Sequence, residues 1–336
     1  MIACESKERY LVRRPRIQTG DCQNKRTGSE RAMQIGMIGL GRMGGNMAKR
    51  LLRAGHQVVA YDRNEAAARE VMEEGGASAA SVQDLAGQLR KPRAAWLMLP
   101  AGEITESTFR ELLSLFEAGD SIVDGGNANY KDSIRRAETA KESGIHFLDA
   151  GTSGGVWGLQ EGYSMMVGGE PQAYDRLRTV FESLAPAPDR GVGRVGPPGA
   201  GHFVKMVHNG IEYGMMQAIA EGFEIMEGKP ELVESLGEVA EIWRHGSVVR
   251  SWLMDLAAAA LDEDARLEQL DSYVEDSGEG RWTVLESIDL SVPAPVITSA
   301  LQARFRSRQE NPFGGRMLAA LRKQFGGHAV RTREDA

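Results

Sequence analysis

Cysteine is nearly absent from this 336-residue chain: Cys4 and Cys22 are the only two, and both precede Met33. The stretch from Met33 onward therefore needs no disulfide framework, and a reducing cytoplasm is the compartment that suits it. No run of 18 or more apolar residues occurs, so no membrane-crossing helix is expected. Positive charge is in deficit. With a net charge of −7 and a pI near 5.6, the chain is a poor candidate for a nucleic-acid binder, although local cations could still hold a small anion. No Cys/His cluster has ligand spacing, so no metal is expected. Internal repeats and low-complexity tracts are also missing.

Glycine is what the chain has in surplus. Its 40 glycines gather in short runs, at 39–45, 125–126, 151–158, 168–169 and 196–201. Such runs let backbone turn sharply or approach a ligand. A hydrophobic share of 42% and a charged share of 26% supply an ordinary soluble core, and the length suffices for two domains. Residues 1–32 carry eight Lys/Arg, four Asp/Glu and few large apolar side chains, and read as a flexible extension. A transit peptide is the alternative, disfavoured by those four acids.

From Met33 the pattern alternates. Strands are expected at 34–38, 56–61, 94–99, 121–123, 146–148 and 164–167, with helices through Ala54 and at 65–74, 105–117, 131–143 and 172–184. Strand and helix in turn mean crossover units and a doubly wound, mostly parallel sheet. Beyond Gly196-Pro-Pro-Gly199 the alternation stops, and the remainder reads as an all-α C-terminal domain. The expected division is 1–32, 33–197 and 198–336.

Gly39-Leu40-Gly41-Arg42-Met43-Gly44 follows the first strand and opens the first helix. In that setting the glycine spacing is a dinucleotide fingerprint of the Rossmann type: Gly39 for the turn, Gly41 for approach of a pyrophosphate, Gly44 for helix packing on strand. Asp62 ends the second strand, where a carboxylate can accept from ribose hydroxyls and repel a 2′-phosphate, so NAD is favoured over NADP. Asp62 could instead serve as a helix-entry residue, and Arg63 beside it could tolerate a 2′-phosphate. Leu99, Pro100 and Ala101, and then Asn127, follow later strands on the same carboxyl edge. Asn127 is a candidate neighbour of the nicotinamide, or a plain turn residue.

The most informative stretch runs from Gly199 to Tyr213. It spaces Lys205, His208, Asn209 and Glu212 at i, i+3, i+4 and i+7, which on a helix is one face. Phe203, Val204, Met206, Val207, Ile211, Met215 and Met216 around them are what a buried helix wants, and these methionines, with Met165 and Met166, read as core filler. A lysine so surrounded loses its proton more easily than a free one, as a general base requires. A salt-bridged Lys/Glu stripe on a solvated helix is the plainer alternative.

Together these residues resemble the 6-phosphogluconate dehydrogenase family, decarboxylating, from Met33 almost to the C-terminus. Gly151-Thr-Ser-Gly-Gly-Val-Trp-Gly158 is similar to its substrate loop, in the wording of the short bacterial-type branch. His202 to Tyr213 is similar to its catalytic helix. Arg304 falls at a phosphate-binding arginine, and Arg322-Lys-Gln-Phe-Gly-Gly-His328 resembles a tail that reaches the partner subunit's substrate. The long branch has a lysine where Ser277 stands and a threonine where Glu279 stands.

The resemblance implies oxidative decarboxylation of 6-phospho-D-gluconate to D-ribulose 5-phosphate and carbon dioxide, a step of the pentose phosphate pathway. It implies a homodimer or higher oligomer, with Lys205 as base and then acid and Glu212 delivering a proton to the enediol. Asn209, His208, Tyr213, Asn127, Ser153, Gly154 and Gly155 would hold the substrate, and Arg304, Arg322 and His328 its phosphate. A 3-hydroxyacid dehydrogenase of the same superfamily is the second reading, and a non-catalytic dinucleotide-binding protein the third.

Overall fold

The computed structural model describes residues 32–327 and 329–331 of the chain. Its first part runs β1 (Gln34–Ile38), α1 (Arg42–Arg53), β2 (Gln57–Tyr61), α2 (Glu65–Glu73), β3 (Ala77–Ser78), α3 (Val82–Gln88), β4 (Ala94–Leu97) and α4 (Glu103–Leu115). There follow β5 (Ser121–Asp124), α5 (Tyr130–Glu142), β6 (His146–Ser153), α6 (Gly158–Glu161), β7 (Ser164–Gly169), α7 (Pro171–Leu184) and β8 (Val192–Gly196). Helices make up the rest: α8 (Ala200–Glu227), α9 (Leu236–Arg244), α10 (Trp252–Glu263), α11 (Glu279–Asp289), α12 (Pro295–Ser307) and α13 (Phe313–Gly326).

The strands form one sheet in the order β3-β2-β1-β4-β5-β6-β7-β8, parallel throughout except for the antiparallel pair β6 and β7. Its central strands are unbroken apolar runs because both faces are covered. In β4, Trp96 joins the core beneath α1 and α7, whereas Ala95 and Leu97 join the core beneath α3 and α4. Ile122 and Val123 of β5, and Phe147 and Leu148 of β6, divide in the same way. Strand order reverses between β1 and β4, and ligands bind at such a switch point outside the carboxyl ends of the strands.

A buried ion cluster fixes the carboxyl end of β5. Arg136 of α5 donates to Asp124 at 2.9 Å and to Glu106 at 3.1 Å, and Arg135 donates to both oxygens of Glu106 at 3.0 and 2.7 Å. Asp124 also accepts from the Gly126 amide at 3.1 Å, which shapes the turn leading to Asn127. Arg135, and then Arg136, hold the Glu106 carboxyl down at about 2 despite its burial. A folded-state value below the ordinary 4.5 gives stabilisation that is complete above that pH and lost as pH falls toward 2. That shift corresponds to about 3 kcal/mol. Glu106→Gln should therefore destabilise strongly at pH 7, and its deficit in urea unfolding should shrink by roughly half at pH 3. An equal deficit at both pH values would mean that packing, not charge, is what Glu106 contributes.

Candidate active site

A cleft of about 390 Å³ opens at the switch point, lined by Gly39, Gly41, Asp62, Arg63, Leu99 and Pro100 among others. The loop after β1 is built from positions that admit no side chain. Gly39 has φ +91°, and a Cβ there would lie 2.4 Å from the Met98 carbonyl oxygen; a Cβ on Gly44 would lie 2.0 Å from that of Gly39. Gly41 is different. A Cβ there would meet nothing within 4 Å, so the backbone lies open to a ligand. α1 begins at that point with no side-chain cap and no acid in its first turn, leaving its N-terminal amides free for an anion. These features fit a dinucleotide pyrophosphate.

Asp62 does two structural jobs at the cleft wall: it accepts from the Leu40 amide at 2.6 Å and from the Asn64 amide at 2.8 Å. Asn64 in turn caps α2. Of the remaining residues read as cofactor contacts, Leu40 and Gly44 are buried under the loop, Arg42 and Ala101 are exposed, and Met43 lines a neighbouring, larger cleft.

That larger cleft, about 810 Å³, lies between the sheet edge and α8. Glycines seat the helix there. A Cβ on Gly151 would fall 2.4 Å from Cβ of Lys205, and one on Gly201 would fall 2.4 Å from the carbonyl oxygens of Asp149 and Met166. The buried Asp149 carboxylate accepts from the amides of Gly199 and His202 at 2.6 and 2.7 Å, closing the start of α8. Burial pushes its carboxyl up, with His202 and the two amides opposing. His202 is locked through Nδ1 to Ser133 Oγ at 2.7 Å.

Lys205, His208, Asn209 and Glu212 all line this cleft, as do Asn127, Ser153, Gly154 and Gly155. Lys205 is only 5% exposed. Burial lowers its proton affinity, opposed by Glu212 and Glu279. Its Nζ lies 3.4 Å from His208 Nδ1, which is 3.1 Å from Asn209 Oδ1 and 3.7 Å from Glu212 Oε2. One imidazole nitrogen cannot serve all three at once, so its tautomer decides whether it accepts from the amine or donates to the amide oxygen. Asn127, at φ +51°, uses its amide to clamp the Thr152 backbone, with Nδ2 donating at 3.1 Å and Oδ1 accepting at 3.0 Å.

Tyr213 and Arg304 stand elsewhere. Consecutive helix residues point about 100° apart, so Tyr213 faces away from Glu212, into the packing of α8 with α11 and α12. The Arg304 guanidinium stacks 3.6 Å from its ring centroid and donates to the Glu275 carbonyl at 2.8 Å; neither residue lines the cleft. Arg322 is exposed on α13, and His328 lies outside the described residues. The sequence expectation of core filler is corrected for Met215 and Met216, which are 41% and 40% exposed, Met215 on the cleft wall; Met165 and Met206 are buried.

The sequence reading missed Ser251 and Trp252 on the cleft wall, and names Trp157, which also lines it, only as part of the loop Gly151–Gly158. Ser251 caps α10, and nothing in its residue type or spacing signals a site. Glu279 was noted only as a departure; its burial beside α8 has no sequence signal.

The sequence family described as the NAD-binding domain of 6-phosphogluconate dehydrogenase matches residues 34–196, and the one described as the 6-phosphogluconate dehydrogenase C-terminal domain matches residues 201–334. A Haloferax volcanii protein named 6-phosphogluconate dehydrogenase, NAD(+)-dependent, decarboxylating, is 44% identical over 305 residues, 90% of this chain and 100% of its own. The NADP(+)-dependent enzyme of Bacillus subtilis is 37% identical over 82% of this chain, which spans 61% of that longer protein. Plasmodium falciparum 6-phosphogluconate dehydrogenase superposes with a TM-score of 0.76 at 32% identity, covering 90% of this chain and 67% of that one. A Mycobacterium tuberculosis 3-hydroxyisobutyrate dehydrogenase, at 22% identity and a TM-score of 0.67, shares the fold. With both halves of the chain matched, it belongs to the 6-phosphogluconate dehydrogenase family.

Proposed function

We propose that the protein oxidatively decarboxylates 6-phospho-D-gluconate to D-ribulose 5-phosphate and carbon dioxide, with NAD as the cofactor, in the cytoplasm. The observation that carries this reading is a buried amine, Lys205, on one helix face with His208, Asn209 and Glu212, in a cleft beside a dinucleotide fingerprint. Gly39, Gly41 and the start of α1 would hold the pyrophosphate, and Asp62 the adenosine ribose. When bound, the nicotinamide supplies the acceptor for the hydride leaving C3 of the substrate.

The chain's own residues handle the protons. Lys205 Nζ, whose proton affinity burial lowers, takes the proton of the C3 hydroxyl. The resulting ammonium faces the C3 oxygen and stabilises the negative charge that develops there as the C1 carboxylate departs. Glu212, two turns further along the same face, delivers a proton to C2, which becomes C1 of the product. Ser153 and the amides of Gly154 and Gly155 grip the carboxylate end.

For the phosphate we infer a second copy. Arg304 is engaged with Tyr213 and Glu275, and α13 buries none of its described apolar side chains: Phe313, Leu318 and Leu321 are 65%, 65% and 56% exposed. A helix with that face unpacked is suited to a partner subunit, and it would bring Arg322 and His328 to the neighbouring site. The active unit is then at least a homodimer.

Reduced-cofactor absorbance with 6-phosphogluconate against 3-hydroxyisobutyrate, each with NAD and NADP, tests the reading. Turnover of 6-phosphogluconate with NAD is expected. Preferential turnover of 3-hydroxyisobutyrate would replace the assignment. Asp62→Asn should narrow the advantage in kcat/KM of NAD over NADP, because the carboxylate that repels a 2′-phosphate is gone. A wild-type preference for NADP would mean that Arg63 dominates.

A further inference from the structure

One face of α1 carries Met43, Asn46 and Arg50 at i, i+3 and i+7, and it meets the loop that follows β6. Met43 lines the larger cleft. Asn46 Nδ2 donates to the Val156 carbonyl at 3.5 Å, and Arg50 Nη1 donates to the carbonyls of Leu159 and Gln160 at 3.3 and 3.5 Å. The rest of the guanidinium turns to α7: Nε donates to the Ser183 carbonyl at 3.1 Å and Nη2 to that of Ala185 at 2.6 Å. Four backbone oxygens thus converge on one planar cation, whose rigid fork suits them. They lie in the last turns of α6 and α7 or at the α7 cap, where carbonyls lack partners within their own helix and positive charge is favoured.

Apolar burial holds this loop only weakly. Its chain turns at Gly154, Gly155 and Gly162, with φ of +143°, +50° and +84°, a region that favours glycine. Between these turns Val156 and Trp157 are 48% and 47% exposed. Gly158 packs on the Tyr163 ring, which a Cβ would meet at 2.0 Å. At the start of the loop Ser153, Gly154 and Gly155 line the same cleft as Lys205, so where residues 156–161 sit decides where those donors stand.

We propose, building on the reading that Ser153 and the amides of Gly154 and Gly155 grip the carboxylate end of 6-phosphogluconate, that Arg50 is a positioning residue for the substrate. From the helix whose start faces the cofactor pyrophosphate, it pins α6, and with it the substrate loop, to the end of α7. Arg50 lines neither cleft, so it acts through the loop and not by touching either ligand. The competing role is a cap on α6 and α7 that contributes to stability alone.

Full-length Arg50→Met, which keeps the stem and loses the fork, is compared with wild type in steady-state kinetics and in hydrogen–deuterium exchange without ligands. KM for 6-phosphogluconate should rise by about tenfold, the scale of losing hydrogen bonds from a charged group. Binding lost equally from ground and transition states leaves kcat in place, so kcat and NAD affinity should each stay within about threefold of wild type. Amides of residues 155–162 should exchange faster in the variant, with those of β1 and β4 unchanged. Arg50→Lys keeps a cation at the helix ends without the planar fork; it should show the same split with a smaller rise in KM, and it replaces the Met variant if that does not fold. An unchanged KM in a folded variant, or loop exchange equal to wild type, overturns the proposal. So does a loss seen only in unfolding free energy, which would leave Arg50 the capping role. Faster loop exchange in the variant, in a protein whose wild type does not turn over 6-phosphogluconate, would uphold the clamp and overturn the substrate reading, so the two claims fail separately.

Discussion

Lys205→Met should abolish nearly all turnover, a loss of about 10²–10⁴-fold as expected for removal of a general acid–base group, while NAD affinity stays close to wild type. The separation is structural: Lys205 lines the larger cleft on α8, whereas Gly39, Gly41 and Asp62 line the smaller one at the sheet switch point. Methionine matches the length and packing of the lysine stem and has no proton to move. Steady-state rates together with NAD titration by fluorescence quenching give both quantities. Glu212→Gln should slow the reaction less completely, because its transfer follows hydride departure. Lys205→Met activity within about tenfold of wild type would remove the amine from the mechanism.

The second large effect concerns the tail. Truncation after Leu321 removes Arg322 and His328 and should raise the Michaelis constant for 6-phosphogluconate strongly and that for NAD little. A subunit-mixing experiment goes further. Lys205→Met chains retain an intact tail, and Arg322→Ala/His328→Ala chains retain an intact amine, so neither parent contains a complete site if the tail acts across an interface. A mixed dimer contains one complete site, so random exchange should restore roughly a quarter of wild-type activity for a two-fold dimer. Verified exchange with no recovery, or a fully active monomer, would end the trans-acting tail. Arg304→Ala offers a contrast: with its guanidinium stacked on Tyr213, its loss acts on the packing of α8 with α12.

Much of this architecture is legible in the sequence because its signals are local. The glycine fingerprint requires a strand before it and a helix after it, and both are present as β1 and α1. The i, i+3, i+4, i+7 spacing of Lys205, His208, Asn209 and Glu212 maps onto one face of any helix, and the structure lines one cleft with all four. Elements that pattern could not reveal are β3, two residues long, and β8, Val192-Gly-Arg-Val-Gly196, whose glycines and arginine interrupt the alternation. The helix α3 (Val82–Gln88) was missed because it is only seven residues long.

The surroundings of the site are less legible, because they depend on which helices meet. Tyr213 follows Glu212 directly, so a contiguous motif puts the two on different faces. The exposure of Met215 and Met216 depends on a cleft that hydrophobicity alone cannot distinguish from a core. Glu279 reads as an ordinary first-turn acid until α11 is seen packed against α8.

The most direct test of the central claim follows the fate of carbon 1. With 6-phosphogluconate labelled with ¹³C at C1, and NAD, the wild-type protein should release labelled carbon dioxide and form NADH in equal amounts, leaving unlabelled ribulose 5-phosphate. NADH formation with the label retained in a sugar acid, or no reaction under conditions where the protein binds NAD, would contradict the account.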